Sequence, residues 1–151
     1  MSVTSPVAIV DAVTADLLAN SGLTPKQTRK YAEPITIMPD AMPLLSVWLE
    51  LTQYSLLTGN PPAYERRHTL NVAWYVANPK QSEVGGVGDP AVVKALDTTL
   101  ETLIAQLTTY TDGLPGGLGP QLVGTLQSRQ LAPQEGIVWR GLVELVVEEA
   151  T

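Results

Sequence analysis

The glycine-rich segment Gly85-Gly-Val-Gly88 is the first place where residue types and spacing could do chemistry. It precedes Asp89-Pro90, a helix start, and free N–H groups at a helix N-terminus attract anions such as phosphate. The segment lacks both the G-x-G-x-x-G spacing and the Gly-Lys-Ser/Thr ending of nucleotide-binding loops. Asp89 also places its own carboxylate where a phosphate would bind. We therefore predict a loop that enters a capped helix, and binding of a small anion stays open as the alternative.

The residues available for acid–base chemistry are a carboxylate pair and a single histidine. Asp97 and Glu101 have the i, i+4 spacing of neighbours on the polar face of a helix, which is typical of solvated side chains. His68 stands beside Arg66 and Arg67 at the start of a predicted strand. No set of nucleophile, base and orienting group accompanies it. We therefore predict no enzymatic activity, no catalytic residue, no metal site and no cofactor.

The composition of the chain narrows the classes of function that remain. The chain has 151 residues, a size typical of one domain, and charged residues make up only 16% against a norm of about 25%. Its net charge of −6 disfavours nucleic-acid binding, which needs clustered Lys and Arg. There is no cysteine, which excludes disulfides and thiolate metal sites. Low charge is also expected where partners cover part of the surface.

No targeting or membrane segment is expected from the sequence. No apolar run approaches the roughly 18–20 residues of a membrane-spanning helix. The first residues, Met1-Ser-Val-Thr-Ser-Pro, lack a basic stretch followed by an apolar one, so we predict no signal peptide. These patterns indicate a soluble protein without membrane contact.

Two helices are predicted from their capping residues and apolar spacing. Ser5 and Pro6 open a helix over 6–20 that ends at Asn20-Ser21-Gly22. Asp89 and Pro90 open a longer helix, which keeps a 3–4 spacing of apolar residues until Asp112-Gly113.

Strands are predicted from alternation of apolar and polar residues. The run Ile35-Thr-Ile-Met38, with a proline on each side, is typical of an edge strand. Alternation over 45–52 and 69–76 predicts a long-looped antiparallel hairpin. Strand patterns at 121–128 and 137–147, separated by a turn at 129–136, close the chain.

The order α, β, β, β, α, β, β favours one α+β domain over residues 1–151. We expect a two-layer sandwich in which a mixed or antiparallel sheet of four to five strands carries both helices on one face. Flexible loops are predicted near 58–64, 78–88 and 113–120, where proline and glycine are dense.

The run Tyr64-Glu-Arg-Arg-His68 is a candidate for a protein–protein contact, because Tyr and Arg are enriched in interfaces. An ordinary solvated strand entry is the alternative for the same residues. Trp48 falls on the more polar side of its strand, which indicates a second covered surface. The predicted interface residues are Trp48, Tyr64, Arg66, Arg67 and His68.

The last predicted strand, at 137–147, also indicates a second covered surface. Its second face still contains Val138, Leu142 and Val146, and a strand that is apolar on both faces is normally buried on both. Two helices cover only one face of the sheet. Self-association would cover the other, so we predict a homo-oligomer.

The succession of elements is similar to that of tail-terminator proteins of long-tailed bacteriophages. The likeness is one of strand and helix order over most of the chain, and no functional residue carries over position by position. The segments that carry it are Arg66-Arg-His-Thr-Leu-Asn-Val-Ala-Trp-Tyr-Val76, Gly88-Asp-Pro-Ala-Val-Val-Lys-Ala-Leu96 and Val138-Trp-Arg-Gly-Leu-Val-Glu-Leu-Val-Val-Glu-Glu149.

The resemblance implies a structural virion protein that forms a ring, expected to be a hexamer, at the head-proximal end of the tail tube. Such a ring stops tube polymerisation and joins the tail to the neck, after assembly in the host cytoplasm. Its implied partners are other copies of the chain, the tail-tube protein and a head–tail connector, while DNA passes through without specific binding. A head–tail connector or stopper, and a tail-tube subunit, are alternatives within the same class. A small ligand-binding or enzymatic α+β domain is the alternative from another class.

Overall fold

The computed structural model describes residues 4–35, 38–57, 59, 63–79, 88–118, 122–134 and 137–150. Its elements follow the predicted order of helices and strands. They are α1 (Pro6–Asn20), β1 (Gln27–Lys30), β2 (Leu44–Leu57), β3 (Ala63–Ala77), α2 (Pro90–Leu107), β4 (Leu122–Pro133) and β5 (Val138–Ala150), with short 3-10 helices at Pro39–Ala41 and Thr108–Asp112.

Both helices start at the predicted caps. The Ser5 hydroxyl accepts a hydrogen bond from the backbone N–H of Val7 at 3.2 Å, and the Asp89 carboxylate accepts one from Ala91 at 3.0 Å. Each cap satisfies an N–H group that has no partner within the helix. Helix α2 ends at Leu107, earlier than predicted, because the chain tightens into a 3-10 turn before Gly113.

The sheet is mixed, as predicted, and has five strands in the order β1-β2-β3-β5-β4. Only β1 and β2 run parallel, and the other neighbouring strands are antiparallel. The last strand of the chain, β5, lies between β3 and β4. Strand β5 is therefore interior, while β4 forms one edge and β1 with β2 forms the other.

The predicted edge strand at Ile35–Met38 is not found at either of its ends, and residues 36–37 lie outside the described residues. The edge strand is β1, which lies in the preceding polar stretch and pairs with residues 44–47 of β2. At Ile35 and Met38 the chain is not in a strand, and Ile35 is 98% exposed. The prolines at 34 and 39 explain the difference, because they lack the N–H that a sheet ladder needs and stand in the crossover between β1 and β2.

The other strands are longer than their sequence patterns. The β2–β3 hairpin extends to Leu57 and Ala63, and β4 reaches Pro133, inside the predicted turn at 129–136. Of the three predicted loops, residues 58, 60–62, 80–87 and 119–120 lie outside the described residues.

Both helices pack on one face of the sheet, as predicted. Their apolar stripes meet the inward side chains of β2, β3 and β5 in the main core. The fully buried members contributed by the helices and the strands include Ile9, Val13, Leu45, Val47, Leu70, Val72, Leu96, Leu100, Leu103, Leu145 and Val147.

A second, smaller cluster lies on the opposite face of the sheet. Trp48 and Tyr75 are buried there with Leu44, and Met42 from the β1–β2 crossover packs against them. An ion pair between Glu33 of that crossover and Arg140 of β5, at 3.3 Å, crosses the same face. The chain itself therefore covers Trp48, Val138 and Leu142 on the second face, for which sequence reasoning invoked another subunit.

Candidate protein–protein interface

The predicted contact run lies in the first half of β3, and the structure divides it. Alternation along the strand turns Arg66 and His68 toward the face that carries the helices, and turns Arg67 to the opposite face. Tyr64 pairs with Leu56 of β2 in the register of the hairpin, and its side chain lies outside the described residues. Arg66 and His68 therefore do not share a surface with Arg67.

Arg66 is buried and bound within the chain. Its Nε donates to Glu149 Oε2 at 3.1 Å, and a second guanidinium nitrogen donates to the same carboxylate and to the carbonyl of Thr4. The backbone N–H of Thr4 donates in turn to Glu149 Oε1 at 2.9 Å. These bonds fasten the segment before α1 to β3 and β5, so the Arg66 guanidinium is committed to internal partners.

His68 completes this buried network. It has no exposed surface, its Nδ1 lies 2.9 Å from the Thr52 hydroxyl, and its Nε2 lies 3.4 Å from Glu149 Oε2. Burial lowers the pKa of His68, although the hydrogen bond with Glu149 opposes this. A neutral ring that accepts from Thr52 and donates to Glu149 satisfies both nitrogens. The role that the structure supports for His68 is structural.

Glu149 stays ionised in this setting. Burial alone would raise the pKa of its carboxyl group, but hydrogen bonds from Thr4, Arg66 and His68 together hold that pKa below its ordinary value. The carboxylate is therefore the common acceptor that holds the network together. Sequence reasoning missed Glu149, because its partners lie 81 to 145 positions away along the chain.

Arg67 differs from both of its neighbours. It is exposed and forms a surface ion pair with Glu148 of β5 at 2.7 Å. An exposed pair of this kind contributes little to folding, so its guanidinium can exchange partners at low cost. Of the three residues Arg66, Arg67 and His68, only Arg67 is accessible to another molecule.

Trp48 lies in the second cluster and is 6% exposed. Its indole packs with Leu44, Tyr75 and Met42 inside one chain. The burial of Trp48 therefore does not require a second copy, and an interface role for this residue stays a prediction.

The outer part of β2 carries exposed apolar side chains that the sequence analysis did not single out. Beyond an irregularity in pairing at Glu50, the side chains of Leu51, Tyr54 and Leu56 are 50%, 64% and 65% exposed. A sequence signal was present, since no charged residue occurs from Leu51 to Tyr64. By the register of the hairpin, Tyr54 and Leu56 lie on the face that carries the helices and Leu51 lies on the opposite face. Exposed apolar side chains along an uncharged sheet edge are typical of a contact surface.

Three carboxylates lie on the second face of the sheet, near the outer part of β2. Glu50 accepts a hydrogen bond from Asn71 at 3.2 Å, and Glu144 pairs in register with that residue. Glu148 adds a third carboxylate, which is bound to Arg67. This part of the face is therefore acidic.

The anion-binding alternative finds little support at the start of α2. The Asp89 carboxylate occupies the helix N-terminus, and the Asp89 N–H donates to the buried Asn78 side chain at 2.8 Å. Gly88 has a φ of +73°, and a Cβ there would lie 2.4 Å from Asn78 Nδ2, so this position needs glycine for conformation and space. Gly85 and Gly86 lie outside the described residues.

The pair Asp97 and Glu101 binds Arg129 of β4 in an exposed ion-pair cluster, rather than standing free on the helix. Among the described residues, no three potential His, Asp or Glu ligands come together as a metal site would require. None of the helices in the described ranges is long and apolar enough to cross a membrane.

Comparisons with known proteins give a fold likeness. No protein-family model matches the chain, and no curated protein matches it. Among solved structures, a chain from the virion of a native gene transfer agent (GTA) particle superimposes with a TM-score of 0.54. The match covers 98% of this chain and 100% of that chain at 11% sequence identity. At this identity, the two chains are similar in fold.

Proposed function

We propose that this chain is a structural subunit of a phage-type virion, and specifically a tail terminator. In this role it forms a homo-oligomeric ring at the head-proximal end of the tail tube, stops tube growth and offers its opposite rim to the neck. The observation that carries the proposal is the fold likeness to a virion chain over the full length of both chains. The succession of elements, which resembles that of tail terminators, supports the same role.

The exposed features of the subunit suit assembly better than catalysis. A ring of identical subunits needs two different surfaces on each copy, because its contacts are head-to-tail. The chain has two long sheet edges of different character, formed by β2 and β4. The only histidine is buried and engaged by Thr52 and Glu149, which leaves it unsuited to act as a general base. The proposed role is therefore non-catalytic.

A passage for DNA fits the charge of the second face. If the carboxylates of Glu50, Glu144 and Glu148 line the channel of the ring, they repel the phosphate backbone and let DNA slide without sticking. Replacing all three by glutamine should then slow DNA ejection from assembled particles. Unchanged ejection would remove this part of the proposal.

Arg67 is the accessible member of the predicted contact run and the candidate for rim contacts. In this proposal Arg66 and His68 act indirectly, by fixing β3 and the start of α1. Charge reversal at Arg67 should weaken joining of the tail while the subunit stays folded. If Arg67→Glu left both ring assembly and tail joining intact, the assignment of Arg67 would be wrong.

The test of the function is whether the chain caps tail tubes. Purified protein would be added to growing tubes of the tube protein from the same phage, and the tube ends would be imaged by electron microscopy. We expect a ring on one end of each tube and an arrest of growth at stoichiometric amounts. A protein that ignores tubes but binds portal-bearing capsids would be a neck connector, and one that ignores both would overturn the virion proposal.

A matched control is available on α1. Ala15 and Ala19 are exposed on that helix, so lysines there add two charges without touching the sheet. The variant Ala15→Lys/Ala19→Lys should cap tubes as the wild type does. Loss of capping in this variant would place the contact surface on the helices and count against a sheet-edge ring.

A further inference from the structure

One edge of the sheet is open along most of β2. Strand β1 pairs only with residues 44–47, and the backbone N–H of Tyr31 makes the next contact, with the Val47 carbonyl at 2.9 Å. From Trp48 to Leu57, no strand among the described residues lies on this side of β2. Within this ten-residue stretch, alternate residues therefore present their backbone N–H and C=O groups outward, where another strand can pair with them.

Beyond Glu50, this edge lacks features that keep natural edge strands from pairing. Proteins usually protect such edges with charged side chains, prolines or β-bulges. Glu50 and the pairing irregularity at that residue lie at the inner end of the open stretch, whereas residues 51–57, with the sequence Leu-Thr-Gln-Tyr-Ser-Leu-Leu, contain no charged residue and no proline. Leu51, Tyr54 and Leu56 are at least half exposed on the same stretch. A long, uncharged and apolar edge is a site for strand addition.

The opposite edge, β4, is also open but polar. At the start of β4, the backbone N–H of Leu114 donates a hydrogen bond to the Leu122 carbonyl. Strand β5 pairs with β4 on the inner side of β4 only. Its outward-exposed side chains include Thr125, Gln127 and Ser128. The strand has a pairing irregularity at Gln127 and ends in Pro133, so it accepts a partner over a limited stretch and register.

The two edges also differ in where their charged residues lie. Lys26, Arg29 and Lys30 cluster at β1, where Asp11 binds Lys30 at 2.9 Å. Beside β4, the carboxylates of Asp97 and Glu101 share one cation, Arg129. Cations therefore predominate at the β1 end and carboxylates around Arg129, which favours contact between these unlike ends over contact between like ones.

We propose that the β2 edge of one copy, over residues 48–57, pairs with the β4 edge of a second copy. The sheets of successive subunits then become continuous, and the basic end of β1 lies toward the acidic side of α2 in the next copy. The pairing is head-to-tail, so it propagates until the rotation between copies closes it into a ring. That closure is the part of the inference that rests on the proposed function.

The alternative partner for the β2 edge is the same edge of another copy. Such a two-fold pair would leave the β4 edge open and would use none of the charge difference between the two sides. The test is built to tell these two arrangements apart.

The test uses two edge-blocked variants that carry the same added charge. Variant A, Tyr54→Lys/Leu56→Lys, blocks the β2 edge, and variant B, Thr125→Lys/Ser128→Lys, blocks the β4 edge. All four positions are exposed, so both variants should fold. The helix variant Ala15→Lys/Ala19→Lys is the control for added charge alone.

The measurement is the mass in solution of each variant and of their equimolar mixture, by sedimentation over rising concentration. We expect the wild type and the helix control to form multi-chain assemblies, and A and B alone to stay at the 16.2 kDa of one chain. Mixed together, A and B should form a pair and grow no further, because each contributes one intact edge. This complementation is the signature of a head-to-tail contact.

Several outcomes would overturn the inference. Dimers of B alone would show that β2 pairs with β2, and normal assembly of A would show that β2 is not the interface. A wild type that stays monomeric in solution and forms no ring on tube ends would contradict both the inference and the proposed function. If variant A or variant B alone still formed rings on tube ends, the edge pairing would be wrong, whereas the proposed function would remain. An A–B pair together with a wild type that never caps tubes would remove only the terminator role.

Discussion

Strands β2 and β3 run side by side beyond Glu50, and their side chains have opposite surroundings. On β3, the polar residues Arg66 and His68 are buried, while on β2 the apolar residues Tyr54 and Leu56 are exposed. Both sets point to the same face, since Tyr54 pairs with Arg66 in the register. The usual distribution of polar and apolar residues is therefore reversed between neighbours.

Position in the sheet explains the reversal. Strand β3 is interior, so its side chains lie between β5 and the start of α1, where Glu149 and Thr4 supply polar partners. Strand β2 is an edge beyond Val47, and the described part of the chain places nothing beside it there. A polar network thus completes the inside of the subunit, whereas the apolar surface is available for a partner.

The largest expected effect comes from breaking the network on β3. Arg66→Ala leaves the Glu149 carboxylate buried with too few donors, and we expect a loss of about 3–5 kcal/mol in the free energy of unfolding. Urea denaturation followed by circular dichroism measures it. The neighbouring change Arg67→Ala removes an exposed pair and should cost about 0–1 kcal/mol. Equal losses in the two variants would contradict the difference between the buried and exposed positions.

Acid should reveal the same network with a smaller effect. The folded pKa of His68 is lowered, so the unfolded chain binds its proton first, and stability should fall as the pH drops below about 6.5. The folded pKa of Glu149 is also lowered, and its contribution should be lost as the pH falls further, through that pKa. The slope from one group is at most about 1.4 kcal/mol per pH unit.

Urea midpoints between pH 7.5 and 4 test this titration. In His68→Gln the upper part of the decline should disappear while the lower part remains. A wild type that is more stable at pH 5.5 than at pH 7.5 would mean that His68 is charged in the folded chain, against the expected sign.

The smallest effect on folding is expected on β2. Tyr54→Ser/Leu56→Ser removes side chains that are mostly in water, so the free energy of unfolding of the single chain should change by no more than about 0.5 kcal/mol for each residue. Assembly of the same variant should be lost, because the apolar contact is gone. A large loss of stability in the monomer would mean that these side chains already pack within one chain.

Much of the fold was predictable because its signals are local. The caps at Ser5 and Asp89 and the alternation in β2, β3 and β5 depend on residues close in sequence. The edge strand β1 was not predictable, because it has no apolar alternation and is held in the sheet by parallel pairing with β2. The prolines at 34 and 39 suggested an edge strand between them, but both lie in the crossover between β1 and β2.

The candidate site was harder to predict, because burial depends on neighbours distant in sequence. Nothing near Arg66 shows that Glu149 and Thr4 will enclose it, so an Arg-rich run was assigned to the surface. Tyr54 and Leu56 were overlooked for the converse reason. Their exposure follows from β1 stopping at Lys30, which no local pattern around β2 reveals.

The insertion of β5 between β3 and β4 has a consequence for when the subunit can fold. As the chain leaves the ribosome, β3 has no inner neighbour until the final strand is synthesised, and Arg66 has no carboxylate until Glu149 emerges. Contacts that span 145 positions, such as that between Thr4 and Glu149, form slowly because the loop between them must close first. Completion of the sheet thus waits for β5, and nascent chains held short of β5 should remain sensitive to protease.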